Sequence, residues 1–124
     1  MTLPLEEIRS LIEQARDAWI GGNADQFASL FTPNGELIVP GNRWVGMEAI
    51  HQALTDFAAT ASHVSIEIHR IIVDGNQAVV EWHWQDTTLS GQTTRADDAI
   101  VVDFQGNKIS RWREYIDTQT WEEE

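Results

Sequence analysis

The spacing of apolar residues changes character once along this chain, and that switch limits the folds open to it. Leu5, Ile8, Leu11, Ile12, Ala15 and Trp19 recur at helical spacing before Gly21-Gly22, with Thr2 available as an N-cap and Pro4 near the first turn. A helix over about residues 4–20 is predicted. Asn23 can cap a short second helix through Phe27, Leu30 and Phe31, which Thr32-Pro33-Asn34-Gly35 ends. Short strands at Glu36–Val39 and Arg43–Val45 lead to a third helix at about 47–60, with Ile50, Ala53, Leu54 and Phe57 on one side. From Val64 onward alternation replaces the helical period, in strands at about 64–73, 78–88, 93–104 and 108–117. Helices followed by a meander define an α+β domain: a cone-shaped, curved antiparallel sheet wrapped around three N-terminal helices.

A length of 124 residues fits one domain, with an acidic tail at about 118–124. Twenty Asp and Glu stand against eight scattered Lys and Arg, a net charge of -12. Such a surface repels phosphate backbones and anionic bilayers, so neither nucleic acid nor membrane is an expected partner. Without Cys there is no disulfide framework and no thiolate nucleophile. The four His lack His-x-His, His-x-Asp and His-x-x-x-His spacings, and no metal is expected. No cofactor motif is present either: there is no Gly-rich phosphate loop and no Gly-x-Ser-x-Gly elbow. The N-terminus lacks a basic and apolar leader, and no window approaches about 18 uninterrupted apolar residues, so a cytoplasmic location is expected. Six Trp against a single Tyr is the unusual entry in the composition. Rings of that size belong in a core, a pocket wall or an interface.

Register arithmetic gives those rings positions. If Val73-Asp-Gly-Asn-Gln77 and Phe104-Gln-Gly-Asn-Lys108 close three-residue loops with Asn in the left-handed position, Ile66 opposes Trp84, Ile68 opposes Trp82 and Ile72 opposes Ala78. The other face then pairs Glu67 with His83 and His69 with Glu81. In the last hairpin the same rule sets Asp98 opposite Glu114, Ile100 opposite Trp112 and Val102 opposite Ser110. Carboxylates directly opposite lie about 4.5–5.5 Å apart at Cβ. Buried, such a pair raises at least one pKa and prepares a general acid or base; pointing into water, it does neither.

The succession Phe31-Thr-Pro-Asn-Gly-Glu, Val45-Gly-Met-Glu-Ala-Ile, Val73-Asp-Gly-Asn, Val79-Val-Glu-Trp and Gly106-Asn-Lys-Ile-Ser-Arg-Trp-Arg-Glu-Tyr-Ile-Asp117 resembles SnoaL-like domains of the nuclear transport factor two-like superfamily. Polyketide cyclases, ketosteroid isomerases and limonene-epoxide hydrolases belong to it. The resemblance spans about residues 6–118 and implies a cone enclosing a pocket, with dimers formed through the convex face. Limonene-epoxide hydrolases carry an Asp at the position of Glu114, an Arg and an Asp at His83 and Gln85, and a Tyr and an Asn at Leu37 and Val39. Without the residues that hold and activate water there, the resemblance argues against epoxide hydrolysis by that mechanism. By the same carry-over His83, Asp98, Trp112 and Glu114 look into the pocket, while Trp82 and Trp84 lie on the convex face, where a homodimer partner covers them.

In this arrangement Asp98 or Glu114 is the base and His83 shuttles the proton or polarises a carbonyl. Trp19, Phe27, Phe31, Leu54, Phe57, Gln85, Ile100, Val102, Trp112 and Ile116 form the ligand-binding walls, suited to a flat apolar molecule with one or two oxygens, such as a polycycle, a terpene or an aromatic acid. The expected function is binding of such a metabolite, with cofactor-free isomerase, cyclase or dehydratase chemistry as its enzymatic form. The alternative is a non-catalytic ligand-binding or dimeric interaction module. Hydrophobic pattern alone also leaves the converse faces open, with His83–Glu67 and His69–Glu81 as solvated pairs and Trp82 and Trp84 filling the core.

Overall fold

The helices form where the apolar spacing places them. The computed structural model describes residues 3–118, with helices α1 (Leu5–Ile20), α2 (Ala24–Ser29) and α3 (Met47–Thr60). Pro4 precedes the first turn of α1, where Glu6 and Glu7 complement the helix dipole. Thr2, Trp121 and the acidic residues Glu122, Glu123 and Glu124 lie outside the described residues. Gly22, at φ +67°, ends α1 with its N–H on the Trp19 carbonyl. Asn23 caps α2 by accepting the Gln26 N–H at 3.1 Å.

Six strands follow the helical segments or run between them: β1 (Phe31–Val39), β2 (Asn42–Val45), β3 (Ala61–Asp74), β4 (Gln77–Thr88), β5 (Thr93–Gln105) and β6 (Lys108–Asp117). Their order is β2-β1-β6-β5-β4-β3, an open sheet with β2 and β3 at its edges. The sheet is mixed, because β1 runs parallel to β6 while every other pair is antiparallel. β1 also begins earlier than the Pro-Asn-Gly signal suggests. Its pairing with β6 is interrupted between Phe31 and Glu36, so Pro33 sits where no ladder hydrogen bond is required of it. α1 packs on β3, and α3 on β1, β2 and β3. Ile8, Ile12, Ile50 and Leu54 from these helices are wholly buried against Leu37, Val80, Ile100, Val102 and Ile109 of the sheet. Each such side chain contributes about 1.5–3 kcal/mol by leaving water. Among the described residues, no helix is long and apolar enough to cross a membrane.

Both Asn-containing hairpins close more tightly than the sequence suggests. Asp74 pairs with Gln77 and Gln105 with Lys108, leaving two-residue Gly-Asn loops. Gly75 and Gly106, at φ +62° and +60°, take the left-handed position expected of Asn, and no non-glycine among the described residues has a positive φ. Glycine first is the pattern of a II′ loop, since it alone has no Cβ to clash there. The irregularity between Ile68 and Arg70 cancels the tighter turn in the first hairpin, whereas the one between Asp103 and Phe104 adds to the displacement in the last. Beyond the first, Ile66–Trp84, Glu67–His83 and Ile68–Trp82 pair as expected, but near the turn Arg70 replaces His69 opposite Glu81 and Ile72 meets Val79 instead of Ala78. In the last hairpin Asp98 faces Ile116, Ile100 faces Glu114 and Val102 faces Trp112. Asp98 and Glu114 are therefore diagonal neighbours rather than opposite ones, and a displacement of two leaves both on one face.

The faces of β4 are the converse of those carried over from the family. Ala78, Val80, Trp82 and Asp86 are buried on the concave side with Trp84 beside them, while His83 and Gln85 stand on the convex side. Burial of the continuous apolar alternation decides this, and it withdraws Trp82 and Trp84 from any convex interface.

Replacing Gly106 by Ala forces a Cβ into the left-handed region and is expected to lower the unfolding free energy by about 1–2 kcal/mol, measured by urea denaturation. An unchanged midpoint would contradict the II′ geometry.

Candidate functional site

A cavity of about 440 Å³ lies between the concave face and the helices. α1 supplies Ala15 and Trp19, α2 supplies Phe27, and α3 supplies Ala53 and Phe57. The sheet adds Leu37, Val39 and Trp44 from its β1–β2 end, then Trp82, Trp84, Asp86, Thr94, Ala96, Asp98, Trp112, Glu114 and Ile116, with Thr118 just beyond β6. Five of the six Trp thus line one space. The rings pack edge to face or tilted: Trp19 lies 5.2 Å from Phe57 and 6.1 Å from Trp84, and Trp82 lies 5.8 Å from Trp112.

Three carboxyl groups enter this aromatic space, and each accepts a hydrogen bond from an indole. Trp82 Nε1 donates to Asp98 Oδ2 at 3.1 Å, Trp84 Nε1 to Asp86 Oδ1 at 3.1 Å, and Trp112 Nε1 to Glu114 Oε2 at 2.8 Å. Two of the pairs are neighbours two apart on one strand, Trp84 with Asp86 and Trp112 with Glu114; the third spans directly opposed residues of β4 and β5. Strand alternation places i and i+2 on the same face, so a Trp-x-acid triplet brings donor and acceptor together locally.

Asp98 and Glu114 are close enough to share a hydrogen bond when one of them is protonated. Burial pushes Glu114 up from an ordinary 4.5 to about 8, against the opposing pull of the Trp112 N–H and with added repulsion from Asp98. Burial likewise raises Asp98, while the Trp82 N–H and the Glu114 bond draw it back. The two carboxyls therefore hold one proton between them near neutral pH, with Glu114 as the acid that donates to the Asp98 carboxylate. With both ionised, Oδ1 of Asp98 would be buried with no donor. Asp98 is only 3% exposed, whereas Glu114 is half-buried at the cavity wall.

Of the residues expected at the site, Asp98, Glu114, Trp19, Phe27, Phe57, Trp112 and Ile116 line the cavity. Phe31, Leu54, Ile100 and Val102 sit behind it in the core. His83 and Gln85 are not brought in: the Nδ1 of His83 lies 2.9 Å from Asp97 Oδ1 on the convex face. From there the charges of Asp97 and His83 act weakly on Asp98. Trp44, Trp82, Trp84 and Asp86 were not expected in the pocket, although the Trp84-Gln-Asp86 triplet carries the same local signal as Trp112-Arg-Glu114. No group of three His, Asp or Glu among the described residues is gathered to hold a metal ion.

Three helices packed on one face of an open, mixed six-stranded sheet define an α+β fold class that serves isomerases, cyclases and ligand-binding proteins alike. The chain belongs to the SnoaL-like domain family, whose model matches residues 12–112. Its fold is similar to that of TsrD from Streptomyces laurentii, with a TM-score of 0.82 at 16% identity over 93% of this chain and 91% of that one. A protein classed as a SnoaL-like polyketide cyclase from Jannaschia sp. CCS1 gives 0.78 at 14% identity, covering 90% and 86%. A hypothetical protein with a ketosteroid isomerase-like fold from Catenulispora acidiphila, solved with trimethylamine, gives 0.79 at 18% identity, covering 85% and 83%. No match to a curated protein is found.

The raised Glu114 pKa makes stability depend on pH with a defined sign. The folded protein keeps a proton that the unfolded chain releases, so this group's stabilisation is full below about pH 4.5 and is lost as pH rises through about 8. Across that window Glu114→Gln should show a shallower fall in Tm than the wild type, measured by thermal unfolding in a buffer series. Identical slopes would mean that Glu114 titrates normally.

Proposed function

We propose that the chain binds a small, largely apolar, oxygen-bearing molecule in its Trp-lined cavity and exchanges a proton with it through Glu114. The shared proton of Asp98 and Glu114 carries this reading, because two carboxyls in an apolar wall supply an acid and a base at the same pH. Both carboxyls line the cavity; Glu114, the more exposed of the two, meets the ligand, and Asp98 takes the shared proton. When the shared proton sits on Asp98, the Glu114 carboxylate removes a proton from a carbon beside the ligand carbonyl, and the C–H electron pair moves onto the carbonyl oxygen as an enolate. Where the ligand carries a C=C next to that carbon, the enolate is a dienolate; return of the proton to its far carbon shifts the double bond, restores the carbonyl and yields an isomer, with no net consumption of protons or electrons. The indole of Trp44 lines the same cavity, on the strand row of Leu37 and Trp112 beside Glu114, and is a neutral donor for the enolate oxygen. The family setting, with isomerases, cyclases and ligand-binding proteins on one fold, supports the reaction class and leaves the substrate to this cavity. His83 has no part in the step, being on the other face.

Proton exchange is tested with 2-tetralone and unsaturated cyclic ketones in D2O, following deuterium entry beside the carbonyl by NMR. Wild type should accelerate exchange, and Glu114→Gln should lose about 100-fold or more while still quenching Trp fluorescence on ligand addition. Binding without exchange in the wild type would make the chain a ligand-binding module, and equal exchange in the variant would remove Glu114 from the chemistry.

Self-association through the convex face is proposed on a different set of residues from the two Trp. Ile72, Val79, Val101 and Arg113 form one lateral row across β3 to β6, with Ile72 57% exposed. A dimer mass by light scattering at micromolar concentration, reduced to a monomer by Val79→Glu, is the expected result. A wild-type monomer would contradict it.

A further inference from the structure

We propose that the ligand of this cavity carries a basic, cationic nitrogen and that Asp86 anchors it. The proposal rests on the reading of the cavity as the ligand site, but not on proton exchange at Glu114.

Asp86 is the cavity carboxyl that the acid–base pair does not use. It is 9% exposed and lines the cavity from β4. One oxygen takes the Trp84 indole N–H; the other receives no hydrogen bond from the described residues and is not sealed in protein. A carboxylate offers about four acceptor sites, so most of its capacity faces the empty space. No Lys, Arg or His is among the cavity's described lining residues. Four of the eight Lys and Arg have partners elsewhere: Arg43 with Glu36, Arg70 with Glu81, Arg16 with Asp17, and Lys108 on the Ser29 carbonyl. A ligand cation can give the open oxygen a charge-assisted hydrogen bond that a neutral ligand cannot.

The walls at this end favour the same charge. Trp84 lies 5.4 Å from Phe57 and 6.1 Å from Trp19, and Trp19 and Phe57 are 5.2 Å apart, so three rings gather beside Asp86. Ring faces are electronegative and attract ammonium groups, most strongly where water is excluded. At the other end the Asp98–Glu114 pair carries a further negative charge, so a carboxylate-bearing ligand is repelled from both ends. The aromatic acid admitted by the sequence is thereby removed from the candidates.

Sheet register sets the ligand's length. Asp86 is paired with Thr94, four residues along β5 from Asp98. Four residues of strand correspond to roughly 13 Å. A molecule with its nitrogen at Asp86 therefore has room for an apolar body of about two fused rings before it reaches Asp98.

The test uses one bicyclic frame in three charge states: 2-aminotetralin, 2-methyltetralin and tetralin-2-carboxylate, titrated against the full chain by Trp fluorescence and calorimetry. The amine should bind about tenfold or more tighter than the neutral compound, and the carboxylate should be the weakest. Asp86→Asn should bring the amine down to the affinity of the neutral compound without changing the latter, and Asp86→Glu should retain the preference. If Asp86→Asn does not fold, the wild-type charge series and Asp86→Glu still decide. Equal binding of amine and neutral compound, or a preference unchanged in Asp86→Asn, overturns the proposal while leaving the cavity as a ligand site. Failure of all three compounds to bind overturns both.

Discussion

The indole-to-carboxylate hydrogen bond is the interaction on which the concave face depends. Three carboxyls stand in an aromatic interior, and each is met by Trp82, Trp84 or Trp112 rather than by a cation. An Arg or Lys in those places would hold the acids ionised and fill the space with a charged pair. An indole supplies one donor and no charge, so burial remains the larger influence and raises both Asp98 and Glu114. The same rings form the cavity walls. Aromatic content and acid chemistry are two aspects of one construction.

The helices and strands were legible because the apolar period switches cleanly from helical to alternating. α3 begins and ends where the pattern of Ile50, Ala53, Leu54 and Phe57 places it, and β6 spans Lys108–Asp117 as expected. Turn geometry was less legible. Asp-Gly-Asn and Gln-Gly-Asn are each compatible with loops of two or three residues, and the choice depends on whether Gly or Asn takes positive φ. The one-residue difference is cancelled by the irregularity in the first hairpin and doubled by that in the last, so its effect differs between hairpins. Near the first turn a displacement of one moved Ile72 to the convex face, whereas in the last hairpin a displacement of two kept Asp98 and Glu114 together.

The site was legible to the extent that its residues follow alternation from the apolar core. Asp98, Trp112 and Glu114 lie on the same face as Ile100 and Val102, and they are inside. His83 and Gln85 were placed by family correspondence against the local alternation of Val80, Trp82 and Trp84, and alternation prevailed. Asp86 was missed because a single acid at the end of an aromatic strand reads as a solvated terminus unless its relation to Trp84 two residues earlier is considered. Trp19 remains an exception to the donor economy of the site, since its indole N–H is buried without a partner among the described residues.

The Trp–acid pairs also constrain how such a pocket can diverge. A substitution that enlarges the space by trimming Trp112 removes the donor that restrains Glu114, and trimming Trp82 does the same to Asp98. Shape and acidity are inherited together, so a lineage exploring larger substrates would drift in its working pH unless a second change restored the lost donor. Descendants of this cavity should therefore change in coupled pairs of positions, two apart on one strand or opposed across β4 and β5.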